Sequence, residues 1–209
     1  MWKFLKSHWI MSLIGLAILL TAATMLVYAI ATREGDVGLM TNTKGKPLRW
    51  KSTPITCIYD SDKMTSPDAL NTYDRVREKI NSRFSKNFIG PCIPWALERD
   101  MPKVINGEMI LNISQPPEPE EGVIVYDPFE PKAGGTAHIM EGEDGHIAAA
   151  VLYIYPDAVG DERVWLHELG HIMGLAHDRR RDSVMYPTLT DRGRDLSEKD
   201  IKYLREAYQ

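Results

Sequence analysis

The first pattern along the chain is a run of apolar residues without a single charge, Trp9 to Ala31, set between Lys3 and Lys6 on one side and Arg33, Glu34 and Asp36 on the other. As a helix this run spans a hydrocarbon core of roughly 30 Å. The lysines before it place the N-terminus on the cytoplasmic side by the positive-inside rule. Residues 1–8 are therefore expected inside, 9–31 as a transmembrane signal anchor and the remainder outside. The alternative is a cleaved signal peptide, because Ala29-Ile30-Ala31 has the small-x-small form of a cleavage site and would release the protein near Ala31. Residues 32–47 are polar and aperiodic and predict a linker, with a folded domain over 48–209.

Beyond the linker the pattern alternates between strand-like and helix-like stretches. Ile55 to Tyr59 is β-branched and aromatic and predicts a strand. Ser66-Pro67 predicts a helix start, and Leu70, Tyr73, Val76, Ile80 and Phe84 recur at helical spacing to about Ser85. Ile93 to Glu98 and Met109 to Ile113 predict strands separated by an Asn106-Gly107 turn, and Val123 to Tyr126 a short one after the acidic, proline-rich loop Gln115 to Gly122. Gly135 to Met140 and His146 to Tyr155 form a hairpin pattern around the turn Glu141 to Gly145. Asp161 caps a helix with Val164, Trp165, Leu166, Leu169, Ile172 and Met173 as its apolar positions, and Ser197 with Asp200 opens a last helix through a capping box. The order predicts an α+β domain with a mixed sheet.

Composition narrows the function classes. A 209-residue chain with 44% hydrophobic residues holds one core, and a net charge of -4 supplies no basic stripe for nucleic acid. The two cysteines, Cys57 and Cys92, are too far apart for a CxxC motif and leave either a disulfide or two free thiols. Export past the membrane favours the bond, which in the chain-entropy model contributes on the order of 3 to 4 kcal/mol.

The helix from Asp161 carries the chemistry. His167 and His171 are four apart, so both imidazoles project from one helix face, and Glu168 lies beside the first. Gly174 can take a positive φ, end the helix and turn the chain so that His177 brings a third nitrogen. Three neutral imidazoles leave one position of a tetrahedral Zn2+ open, the mark of a catalytic ion, and Glu168 is placed as the base for an attacking water. The competing reading, three satisfied core histidines, does not account for the carboxylate and the breaking glycine at these spacings.

In these residues the sequence resembles the metzincin metallopeptidases: HExxHxxGxxH is matched at every fixed position by residues 167–177, and Ser183-Val184-Met185-Tyr186-Pro187 is similar to their Met-turn. The Met-Tyr-Pro turn and the terminal LSxxDI helix are most similar to matrixins. The resemblance implies a zinc endopeptidase acting on extended protein substrates, with Met185 under the metal, Gly135, Thr136, Ala137, His138 and Ile139 as an edge strand that pairs with substrate, and Arg163 bordering a specificity pocket. By the same resemblance His138 and His146 could take a second metal, and the hairpin carboxylates Glu141, Glu143 and Asp144 offer oxygens for Ca2+, but the plainer reading is an edge-strand histidine and an acidic hairpin tip without metal, leaving one catalytic Zn2+. Asp178 departs from the serine usual in matrixins and is similar to the adamalysin pattern. Pro187 stands where other metzincins place a zinc-binding tyrosine, and neither cysteine lies where the family's cysteine switch would need it. Two further readings stay open: a non-catalytic zinc-stabilised module that binds peptides, and a hydrolase of cell-wall peptides.

Overall fold

The computed structural model describes residues 38–62, 64, 66–95, 106–117, 123–126, 134–188 and 193–209. All fall within the compact unit Val37–Gln209. The predicted anchor at 9–31 lies outside the described residues, and among those described no helix is long and apolar enough to cross a membrane.

Six strands form one sheet: β1 (Ile55–Tyr59), β2 (Ile89–Pro94), β3 (Glu108–Ile113), β4 (Val123–Tyr126), β5 (Gly135–Glu141) and β6 (Ile147–Ile154), in the order β2-β1-β3-β6-β5-β4. The first four positions of that order are parallel, while β5 runs antiparallel to both β6 and β4. β6 is central, and its run IAAAVLYI suits burial on both faces, the usual state of a strand with a parallel neighbour. Three α-helices, α1 (Pro67–Asn81), α2 (Glu162–Ile172) and α3 (Glu198–Ala207), and a short 3-10 turn at Pro156–Ala158 complete the described elements. The mixed sheet with these helices is the α+β arrangement expected from the sequence, and it fits the metzincin-like domain that the resemblance implied.

α2 lies on β5 and β6 and against α1. Their shared core includes Leu152, Ile154, Trp165, Leu169, Tyr73 and Ile80, all at 1% exposure or less. The rings of Tyr73 and Trp165 meet edge to face at 6.2 Å, and both polar ends are satisfied: Tyr73 Oη donates to the Gly90 carbonyl and Trp165 Nε1 to that of Val159, each at 2.8 Å. On the other face of the sheet Ile110, Val151 and Tyr153 make a second, smaller cluster.

Three boundaries differ from the expectation. α1 ends at Asn81 rather than near Ser85, because the Asn81 side chain accepts from the amides of Phe88 and Ile89 at 2.7 and 3.0 Å and donates to the Ile89 carbonyl. It thereby turns the chain into β2, which starts at Ile89 and runs through Gly90-Pro91 instead of beginning after them. At an edge strand the missing proline amide faces no neighbour. The third concerns the stretch expected to be linker up to residue 47. From Gly38 onward it is packed: Met40 is 3% exposed and Leu48 fully buried, and Asn42 closes a turn by accepting from the amides of Lys44 and Lys46. Polar composition hid it, since this strap is held by main-chain and side-chain hydrogen bonds and not by a periodic apolar face.

Cys57 and Cys92 are bonded, the disulfide of the two states expected from the sequence. They are partners in the β1–β2 register, so the covalent link staples the outer parallel pair of the sheet.

Candidate active site

α2 starts on Asp161, whose carboxylate accepts from the Arg163 amide, and runs to Ile172. One turn apart on it, His167 and His171 turn their Nε2 atoms to a common point, 3.2 Å from each other, and Nε2 of His177 lies 3.2 Å from that of His171. The three ligand atoms all lie within 4.8 Å of one another. The far ring nitrogens settle the tautomer. Nδ1 of His167 faces the Val184 carbonyl at 2.6 Å and Nδ1 of His171 that of Leu175 at 2.8 Å. A carbonyl only accepts, so each Nδ1 carries the proton and each Nε2 turns a lone pair inward. Lone pairs converging at this distance repel unless a cation sits between them. Neutral nitrogen donors of this number and spacing fit zinc, with a position left over.

The third histidine arrives because the helix is broken in a defined way. Gly174 has φ +100°, its amide donates to the His171 carbonyl at 2.8 Å, and the Leu175 amide reaches back to the Gly170 carbonyl at 2.9 Å. This is a Schellman ending with glycine in the left-handed position. A Cβ on Gly174 would also lie 2.3 Å from the Leu48 carbonyl oxygen of the strap. Three successive carbonyls at the break are capped from distant parts of the chain: Trp50 Nε1 donates to Ile172 at 2.7 Å, Tyr208 Oη to Met173 at 2.9 Å and the Met40 amide to Gly174 at 2.8 Å. None of these donors was singled out from the sequence. The signal is long-range and no local spacing carries it.

Met185 is fully buried, and a Cβ on Gly170 would come 2.4 Å from its Sδ. The glycine inside the HELGH stretch is thus what lets the Met-turn close under the helix. That turn is tied to both ligand segments, through Val184 to His167 and through the Asp178 amide, which donates to the Met185 carbonyl at 2.8 Å. Glu168 is 3% exposed. Its Cγ lies 3.0 Å from where a Cβ on Gly135 would be, so glycine at the start of β5 allows strand and carboxylate to approach.

The expected substrate strand needs correction. Gly135 to Ile139 is not a sheet edge, because β4 pairs with β5 from Tyr126↔Ala137 to Val123↔Met140. Only Gly135 and Thr136 of that stretch extend beyond the β4 pairing, while Ala137, His138 and Ile139 are covered. His138 packs its ring 5.0 Å from that of Tyr153 on the face away from the site, and burial lowers its pKa. Arg163 is held by Asp161, with Nη2 2.7 Å from Oδ2. The hairpin acids are used by the strap and its neighbours: Glu141 accepts from the amide and hydroxyl of Thr43 at 2.9 and 2.7 Å, and Asp144 pairs with Lys51 and sits 3.4 Å from His146. Among the described residues only His167, His171 and His177 form a cluster of three or more metal-ligating groups, so His138 and His146 are not brought together in one.

Asp178 has a partner that the sequence reading missed. Its carboxylate accepts from the Arg180 amide at 2.9 Å and from Nε and Nη2 at 2.9 and 2.6 Å, and Nη2 goes on to the Ser197 hydroxyl at 3.1 Å. Burial pushes the Asp178 carboxyl up, but these Arg180 hydrogen bonds outweigh it and hold the group below its ordinary range. Beside this pair an open cavity of about 430 Å³ is lined by His177, Asp178, Arg179, Tyr186 and Pro187.

Two histidines on a helix and a third delivered by the glycine break converge as three neutral nitrogen donors able to hold a metal ion. Residues 111–209 match the matrixin family. Over 93 residues the chain is 36% identical to Metalloendoproteinase 1-MMP of Arabidopsis thaliana, covering 39% of this chain and 26% of that protein. Also over 93 residues it is 36% identical to Matrilysin of Felis catus, covering 40% and 36%. Metalloendoproteinase 2-MMP of Arabidopsis thaliana is 31% identical over 96 residues, covering 39% and 25%. The aligned stretch thus spans between a quarter and somewhat over a third of these relatives. In site and in sequence, residues 111–209 are thus similar to the matrixins.

Proposed function

We propose that the chain is a zinc-dependent endopeptidase that hydrolyses peptide bonds of extended protein substrates. The observation that carries this reading is the buried Glu168 next in sequence to the first of three histidines whose Nε2 lone pairs converge. His167, His171 and His177 would hold the zinc, which when bound supplies Lewis-acid polarisation of the scissile carbonyl and acidifies water. Glu168 takes the proton from the attacking water and returns it to the leaving amine. The main-chain carbonyls of Val184 and Leu175 keep two imidazoles in the ligating tautomer, and Met185 packs beneath them. Substrate approaches the site at Gly135 and Thr136, where β5 runs on past β4.

The reaction takes place outside the cytoplasmic membrane, with residues 9–31 as the export segment and anchor. Support comes from the uncharged apolar run itself and from the Cys57–Cys92 bond, which suits an oxidising compartment.

The test uses the full chain, zinc-loaded, on unstructured protein, with product masses read by mass spectrometry. Cleavage at internal peptide bonds that stops with a chelator and returns with zinc is expected. Glu168→Gln should lower kcat by about 10²- to 10⁴-fold, the usual share of a positioned base, with zinc content unchanged. A folded, zinc-replete protein that binds peptides equally well with Glu168 or Gln and never cuts them would be a peptide-binding module instead.

A further inference from the structure

We infer that Arg179 is the specificity determinant of the cavity beside the third histidine, and that it recognises a carboxylate on the bound peptide. The inference deepens the peptidase reading above and rests on it. Arg179 follows directly on the segment that carries His177, is exposed, and lines the open cavity with Tyr186 and Pro187. Anything bound at the zinc centre and extending past His177 passes this guanidinium.

What singles out Arg179 from the neighbouring arginines is that its charge has no counterpart among the described residues. Among the described residues the one acid lining the same cavity, Asp178, is already engaged by three hydrogen bonds from Arg180, two of them from the guanidinium. Arg163 is likewise taken up by Asp161. Among the described residues no carboxylate pairs with Arg179. In a protein of net charge -4, an arginine left uncompensated inside a cavity at the metal centre is an unused fork of donors matched to carboxylate geometry. The aromatic ring of Tyr186 and the ring of Pro187 line the rest of the cavity and suit the apolar stem of a glutamate or aspartate.

A carboxylate reaches this point either as an acidic side chain within a peptide or as the free end of a chain, and the experiment separates the two. Full-length zinc-loaded protein is assayed on a quenched-fluorescence peptide set in which each position flanking the cut is in turn Glu, Gln or Lys, in versions with free and with amidated C-termini. The same peptides are titrated against the Glu168→Gln protein to read affinity without turnover. The wild type should favour Glu over Gln at one position by about fivefold in kcat/KM and in affinity, near the upper end for a single exposed charge pair, with the ratio shrinking as salt is raised. Arg179→Gln should bring the Glu-to-Gln ratio to about one, and Arg179→Glu should favour Lys.

A preference that follows the free terminus and not the side chain, and that disappears in Arg179→Gln, assigns the same carboxylate recognition to chain ends. A Glu-to-Gln ratio unaltered by Arg179→Gln, or no charge preference at any position, overturns the inference. Failure of the peptidase reading looks different: no peptide is cut, while the Arg179-dependent ratio in affinity still stands.

Discussion

The main-chain amide of Met40 donates to the carbonyl of Gly174 at 2.8 Å, which joins the first described segment of the domain to the residue where the ligand helix breaks. Leu39 and Leu175 form a bridge alongside it. The strap therefore fixes the turn that delivers His177, and the zinc centre depends on residues far outside its own motif.

Replacing that glycine should show how closely the two are fitted. Gly174→Ala must hold an L residue at φ +100° and place a Cβ 2.3 Å from the Leu48 carbonyl oxygen. The left-handed backbone costs about 1 to 2 kcal/mol, and relief of the backbone clash adds to that. A loss of at least about 2 kcal/mol in chemical denaturation is expected, together with weaker zinc binding in a chelator competition. Wild-type stability in this variant would mean that the strap does not press on the turn.

The separation between what the sequence made legible and what it did not follows the range of the interactions. The convergence of His167 and His171 and the break at Gly174 were readable because helix periodicity and one φ preference act within a single turn. Ser197 with Asp200 was readable for the same reason, and the capping box is present with the Ser197 amide 2.8 Å from Asp200 Oδ2. The cover of β4 over β5 was not, because strand neighbours are chosen by long-range pairing that no alternation of residues specifies. Nor was the packing of Met40 and Asn42, since a strap held by single hydrogen bonds has no periodic signature. The Asp178–Arg180 pair lay in plain view at a spacing of two residues, but only a fixed loop makes that spacing an ion pair.

The Cys57–Cys92 bond closes a separation of 35 residues between two adjacent strands. In the chain-entropy model this restricts the unfolded chain by about 3 to 4 kcal/mol. The double variant Cys57→Ser, Cys92→Ser should lose stability of that order in equilibrium denaturation, with zinc stoichiometry preserved because both positions are remote from the three histidines. A loss below about 1 kcal/mol would show that the β1–β2 pairing is held without the link.

Asp161 sets an acid limb on stability. Its carboxyl lies below the ordinary range, first through the side-chain hydrogen bond from Arg163, against which burial works in the opposite direction. A depressed folded pKa stabilises the fold above the unfolded value, about 3.9, and that contribution is lost as pH falls through the folded value. Asp161→Asn keeps a good helix cap without the charge. With both proteins zinc-free, the wild type should melt higher than the variant at neutral pH, and the gap should close as pH falls from about 4 toward 2. A gap independent of pH would assign the difference to cap geometry and not to the charge.

Asp178 and Arg180 act as one unit between the third ligand and the C-terminal helix. The Asp178 amide is bonded to Met185, its carboxylate holds Arg180, and Arg180 reaches Ser197, the N-cap of α3. Removing either member frees the same loop, so the two losses should not add. Asp178→Asn and Arg180→Gln are each expected to lower zinc affinity about tenfold, the lower end for residues supporting a metal site, and the double variant should be no weaker than the worse single one. Chelator competition on the four proteins measures this directly. Additive losses would mean that Asp178 steadies His177 through its own segment alone, and that the tie across to α3 contributes nothing to the site.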